Sequence, residues 1–193
     1  RKTRKADTTN SHHEYPVAPT LLNREFTAEQ ANQKWVADFT YIPTQQGWLY
    51  LAVVLDLYSR KVVGWSMKAN MTTELVEDAL KMALYDRQPE PGLLHHSDRG
   101  SQYASCEIRK RLDDHHITVS MSRAGDCYDN AVMESFFSTL KCEWVNFQNY
   151  ATRTQASLDI FSYIAGFYNR VRLHSTLGYL SPEQFEARDR NPA

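Results

Sequence analysis

The sequence is short of everything that would make a protein disulfide-stapled, zinc-bound or membrane-spanning. Three cysteines in 193 residues, Cys106, Cys127 and Cys142, are too few and too scattered for a disulfide framework. None belongs to a Cys-x-x-Cys pair, so a tetrahedral zinc site has no footing. Their odd number and the lack of a secretory leader point to a reducing interior, where all three read as small buried hydrophobes. No apolar run approaches the roughly 20 residues of a membrane helix. RKTRK at the start is followed by polar residues rather than an apolar leader segment, and a start on Arg1 reads as a fragment of something longer. Neither charge dominates: 22 Lys and Arg against 23 Asp and Glu give a net charge of −1. Nucleic-acid binding usually advertises itself by a basic balance, which is missing here. Arg1, Lys2, Arg4 and Lys5 do form a basic arm, which reads as a solvated tail. Neither G-x-G-x-x-G nor G-x-x-x-x-G-K-[ST] occurs, which removes the main support for dinucleotide and P-loop chemistry.

What is present is an ordinary globular composition, 42% hydrophobic and 23% charged, in a chain long enough for one sizeable core. Residues 1–34 read as arm and linker, and 35–193 as a single catalytic-sized core. WVADFTYI (35–42) is β-branched and aromatic, as strands are. WLYLAVVLDLYSR (48–60) opens with the continuous apolar run of a central strand, and KVVGWSMK (61–68) alternates and closes a three-strand meander. From Thr72 the period changes to that of a helix, with Leu75, Ala79, Leu80, Ala83 and Leu84 on one stripe and Thr72 or Thr73 as cap. A short strand (92–97), a helix from Tyr103 to His115 and a fifth strand (117–122) follow. A helix over 130–145 is capped by Asp129 or Asn130, another spans about Thr152 to Val171, and Ser181-Pro182 opens a last short one. The order β-β-β-α-β-α-β-α-α predicts a mixed α/β sheet with helices on both faces.

Three acids stand where such a sheet would display them. Asp38 interrupts an apolar strand, which is costly unless the carboxylate is paired or bound. Asp98 lies just past the fourth strand, in HHSDRGSQY. If strands one and four are neighbours, the two aspartates approach the same edge. Glu134 sits in the first turn of the helix that begins near Asn130. Carboxylates clustered without soft ligands select hard cations, Mg²⁺ or Mn²⁺. Two such ions, roughly 3.5–4 Å apart, clamp an in-line displacement at phosphorus. Each acid also has a purely structural reading: an ion pair for Asp38, a turn for Asp98 and a helix-dipole contact for Glu134. Asp56, in LDLYSR, is nearly as eligible as Asp38. Lys141 lies two turns beyond Glu134 on the same helix face, about 10 Å along the axis, where it suits a DNA phosphate or plain solvent.

Taken together, WVADFTYI, LDLYSRKVVGW, HHSDRGSQY, DNAVMESFFSTLK and YNRVRLHSTLGYLSPEQFE resemble the catalytic core of DDE transposases of the bacterial insertion-sequence OrfB type, in the retroviral-integrase superfamily. These segments run from residue 35 to about 187, and the 35 residues between Asp98 and Glu134 match the family spacing. The resemblance implies a ribonuclease-H-like fold, a five-stranded mixed sheet flanked by helices. It implies that Asp38, Asp98 and Glu134 form a catalytic, metal-holding triad, that Asp56 lies outside it, and that Lys141 approaches DNA. It implies Mg²⁺ or Mn²⁺, two ions, as cofactor. It implies DNA as partner, both transposon ends and target, with a homo-oligomer assembled on it in the cytoplasm at the bacterial nucleoid. The expected activity is strand cleavage and strand transfer, with water or a 3′-hydroxyl as nucleophile. End recognition would lie in an upstream helix-turn-helix region. A nuclease of the same fold without strand transfer, and an inactive DNA-binding remnant, are the alternatives.

Two features stay open at this stage. Arg170, Arg172 and His174 suit phosphate or partner contacts as well as packing. The His-His pairs at 12–13, 95–96 and 115–116 invite zinc, but without Cys-x-x-Cys they read as an arm pair, a strand-end pair and a helix-end pair. His96 is a candidate neighbour of the metal.

Overall fold

The computed structural model describes residues 15–123 and 127–190. The basic arm and the first His-His pair lie outside the described residues. Ten main elements follow in order: β1 (Lys34–Thr44), β2 (Gly47–Asp56), β3 (Val62–Lys68), α1 (Thr73–Arg87), β4 (Leu94–Ser97), α2 (Cys106–Asp114), β5 (Thr118–Met121), α3 (Ala131–Glu143), α4 (Arg153–Phe161) and α5 (Pro182–Arg190). The five strands form one sheet in the order β3-β2-β1-β4-β5. β1 runs antiparallel to β2 and β2 to β3, while β1–β4 and β4–β5 are parallel.

Strand alternation divides the core in two. On β1, Trp35, Ala37 and Phe39 face one cluster, shared with Leu75, Leu80 and Ala83 of α1 and Ile108 and Leu112 of α2. Val36 and Ile42 face the other, shared with Met133, Phe136 and Leu140 of α3 and Ile160 of α4. A period of two therefore sends Asp38 to the α3 side, the side that carries Glu134. Gly64 lets α1 close on β3: a Cβ there would lie 2.2 Å from the Ala79 carbonyl oxygen.

The helix expected over 152–171 begins on Thr152, whose hydroxyl accepts from the Gln155 N–H. It then changes geometry, becoming π-helical over Ser162–Tyr168. Four aromatic or branched residues, Tyr163, Ile164, Phe167 and Tyr168, must all reach one core there, and a wider helical turn gives them that face. The turn also delivers Asn169 to the sheet edge. Its amide donates to the Val62 carbonyl at 2.9 Å and accepts from the Val62 N–H at 3.0 Å.

Two expectations need correction. Cys106 and Cys142 are exposed rather than buried. Each occupies the polar side of an amphipathic helix, where Ile108 and Leu112, or Phe136 and Leu140, have taken the core face. The side chain of Cys127 lies outside the described residues. Asn130 is at the N-cap position of α3, but its side chain does not cap; it donates to the Ala37 carbonyl of β1 at 3.2 Å. Ahead of β1, Ala18 and Leu22 are buried, and the Leu21 and Leu22 N–H groups bond the Ser120 hydroxyl of β5. Among the described residues no helix is long and apolar enough to cross a membrane.

Candidate active site

The parallel β1–β4 pairing sets the site. Trp35 lies opposite His95 and Val36 opposite His96, so continuing both strands by two residues puts Asp38 and Asp98 at the same level. The Asp38 carboxylate accepts from the Phe39 N–H at 2.8 Å. Asp98 accepts from the Gly100 N–H at 2.9 Å, a tight turn at the strand end. Gly100 leaves room in that turn: a Cβ would sit 3.0 Å from Oδ1 of Asp98 and 3.1 Å from Oε1 of Gln102, and would push on both. Arg99 ties the same loop to the end of β5 by donating to the carbonyl of Ser122, the residue after that strand.

Electrostatics links these aspartates to the helix opposite. Asp38 is held well above the ordinary carboxylate range, first by burial, then by the charge of Asp98 and also by that of Glu134. The Phe39 N–H and Lys141 act the other way without reversing the shift. Tyr103 reports the same field: its phenol is pushed up by burial and by the charges of Asp38 and Asp98. Glu134 stands exposed in the first turn of α3. Among the described residues, no three His, Cys, Asp or Glu side chains are already gathered closely enough to hold a metal. The aspartates are anchored to the sheet, and Glu134 is the member that solvent surrounds.

Lys141, two turns along α3, has its ammonium 4.9 Å from the centre of the Tyr41 ring. Burial pushes its amine down, and Asp38 counteracts this. It therefore lies in the field of Asp38, seated on an aromatic face of β1.

The other candidates fall elsewhere. Asp56 is fully buried, accepts from the Tyr58 and Asn32 N–H groups, and pairs with Arg87 at 3.4 Å. It pairs across the sheet with Trp35, three residues along β1 from Asp38. Burial still outweighs those partners and raises its carboxyl to about 6. His96 places its ring nitrogens 2.8 Å from the Ser120 hydroxyl and 3.2 Å from that of Ser122. Burial lowers it to about 4, as it does the buried His95 beside it. Both imidazoles are neutral at physiological pH. Arg172 makes a two-pronged pair with Glu143 at 2.6 and 2.7 Å, and Arg170 pairs with Glu183 at 3.5 Å.

Sequence reasoning missed Asn130 and Asp129. Asn130 fixes the start of α3 to the residue before Asp38. Asp129, almost fully buried, accepts from Arg123 at 2.8 Å and Arg24 at 3.2 Å, which hold it far below the carboxylate range. By sequence the DN pair reads as a helix cap, and nothing local distinguishes a cap from a long-range tie.

An integrase core domain pattern matches residues 28–127, and a second integrase core domain pattern matches 115–182. The chain belongs to the integrase core family. An insertion element IS600 uncharacterized 31 kDa protein of Shigella sonnei is 51% identical over 178 residues, covering 92% of this chain and 65% of that protein. Transposase InsF for insertion sequence IS3A of Escherichia coli K12 is 49% identical over 174 residues, covering 90% and 60%. This integrase core thus spans somewhat under two-thirds of the length of those relatives. Among solved structures, the HTLV-2 integrase catalytic core domain in complex with magnesium superposes with a TM-score of 0.63 at 16% identity, over 82% of this chain and 99% of that one. A chain of the simian T-cell lymphotropic virus intasome complex gives 0.71 at 17% identity, over 96% and 63%. The integrase core accordingly has the ribonuclease-H-like fold: a five-stranded mixed sheet with helices on both faces.

Proposed function

We propose that this chain is the catalytic core of an insertion-sequence transposase, an enzyme that cuts DNA at the element's ends and transfers the freed strands. One observation carries the assignment of the site: the charges of Asp98, just past β4, and of Glu134, on α3, both act on the buried Asp38 inside β1. Like charges acting on a buried carboxyl disfavour its ionised form and invite a counter-cation. Its donors are all carboxylate oxygens, which suit Mg²⁺ or Mn²⁺ and no soft metal. Asp38, Asp98 and Glu134 are the residues that would hold two such ions. When bound, the ions neutralise the acids and supply Lewis acidity at the scissile phosphate. The retroviral core named above is described with magnesium, and the E. coli relative as a transposase.

The protein's own groups divide the remaining work. Asp38 and Asp98 form the fixed part, anchored by sheet register. Glu134, exposed on α3, supplies the adjustable ligand. Lys141 meets a DNA phosphate near the reacting strand, its ammonium oriented by Tyr41. Asn130 keeps the start of α3 at a set distance from β1. The substrates are the element's ends and target DNA, in the cytoplasm at the nucleoid, and the protein works as a homo-oligomer on them.

Incubating the protein with Mg²⁺ and duplex oligonucleotides that carry an insertion-sequence end and a free 3′-hydroxyl tests this reading. Joined strands are expected, and Asp98→Asn abolishes them. Hydrolysis without joining would make it a nuclease, and equal product from Asp98→Asn would remove the triad.

A further inference from the structure

A second face of α3 has no part in this chemistry. Ser135 and Thr139 lie roughly 100° or more around the helix from Glu134. They form one wall of a cavity of about 500 Å³. Its opposite wall comes from Arg60, in the turn between β2 and β3, and from the stretch after α4 that carries Arg172, His174 and Tyr179.

The charges in this cavity do not balance. Arg172 is matched by Glu143. Arg60 is not matched by any carboxylate among the described residues; its hydrogen bond goes to the Phe26 carbonyl at 3.0 Å. It is half-buried, and burial lowers its guanidinium from the usual range. His174 adds a second missing partner. Its Nδ1 is 3.5 Å from Nη1 of Arg172, which can only donate, so Nδ1 accepts and the neutral ring carries its proton on Nε2. That Nε2 is buried with no hydrogen-bond partner among the described residues. An uncompensated guanidinium in the wall of a cavity is costly, and an anion bound there satisfies it; the unpaired His174 N–H lies buried in the same wall.

A carboxylate would leave most of the space empty. The volume falls within the range of pockets that enclose small organic ligands. Hydroxyls of Ser135 and Thr139 add donors. Tyr179, 70% exposed at the rim, offers a flat ring to a base. We infer that this cavity binds a DNA backbone phosphate together with its nucleoside, one helix face away from the acids. The inference rests on the reading that the chain acts on DNA. It adds a second anchor by which one strand is gripped while another occupies the acid site.

The test uses the full chain, a fluorescently labelled single-stranded oligonucleotide, EDTA to silence the acid site, and a series of KCl concentrations. Arg60→Gln is expected to weaken binding at least fivefold and to reduce the slope of log K against log salt by about 0.7, one phosphate. Arg60→Lys should restore the slope. Tyr179→Ala, at an exposed position that folding tolerates, should weaken binding with the slope unchanged. Parent-like affinity in both Arg60→Gln and Tyr179→Ala overturns the inference and leaves the transposase reading intact. If Arg60→Gln does not fold, as its urea transition would show, parent-like binding by Tyr179→Ala is sufficient to overturn it. If the parent binds no oligonucleotide but takes up a poly-glutamate peptide in an Arg60-dependent way, the cavity serves a protein carboxylate and the inference is wrong. Failure of the underlying reading shows separately, as absence of Mg²⁺-dependent strand joining in the parent.

Discussion

Glu186 on α5 is a polar residue whose loss should loosen this fold substantially. It is 6% exposed and accepts both terminal nitrogens of Arg87, each at 2.9 Å, and the Ser59 hydroxyl at 2.7 Å. Arg87 closes α1 and also reaches Asp56 at 3.4 Å. Glu186→Ala leaves a nearly buried guanidinium with one distant carboxylate. Breaking a buried pair from one side costs about 3–5 kcal/mol. With a urea dependence of about 2 kcal/mol/M, the unfolding midpoint should fall by about 1.5–2.5 M at pH 7. The effect is also pH-dependent. Burial pushes the Glu186 carboxyl up, but hydrogen bonds and charge from Arg87 hold it net below its usual 4.5. A carboxyl lowered on folding stabilises above its unfolded pKa, and that contribution is lost as pH falls through the folded value. The difference between parent and Glu186→Ala should therefore shrink below pH 4.5. Asp56, raised to about 6 first by burial and also by the charge of Glu186, works in the opposite sense between 3.8 and 6 in the parent and less strongly in Glu186→Ala. A loss under about 1 kcal/mol with an unchanged urea slope would refute the reasoning. It would mean that α5 is held by apolar contacts such as Phe185 on Tyr58, 5.1 Å between ring centres.

Two further perturbations probe the site and the sheet. Asp38→Asn should stabilise the metal-free protein at pH 7–8, because a carboxyl raised on folding costs stability once ionised. The melting temperature in EDTA should rise by about 2–4 °C for each kcal/mol relieved, and the upward shift that Mg²⁺ gives the parent should vanish; a lower melting point in EDTA would sink the argument. Gly64→Ala should destabilise by about 1–3 kcal/mol, because the new methyl meets the Ala79 carbonyl at 2.2 Å and α1 must move away. An unchanged urea midpoint would show that α1 has slack there.

Three stretches show how far local pattern reached. The change of period at Thr72 located α1, because a helix and a strand space their buried residues differently within a few residues of chain. WVADFTYI announced a strand, and alternation within it assigned Asp38 to the face of Val36. The helix over 152–171 was legible as a helix but not as a π-turn, since its cause is the packing of Tyr163 and Tyr168 against residues far away in sequence. The cysteines misled because their usual burial is a statistical habit, whereas the helix face they occupy was fixed by bulkier neighbours.

By itself, the sequence determined the element order, the two-sided sheet and the short list of acids, since each depends on periods and residue types that the chain carries locally. The tertiary structure alone decided which acids are neighbours. Asp38 and Asp98 share a level only because β1 and β4 run parallel in one register, and Asp56 is instead engaged by Arg87 and the Asn32 N–H. It also decided that Asn130 ties α3 to β1, that Lys141 rests on Tyr41, and that Arg60 has no carboxylate partner among the described residues. The physical reason is range. Periodicity follows from backbone geometry over a few residues, while a partner 30 to 130 residues away is chosen by packing and register.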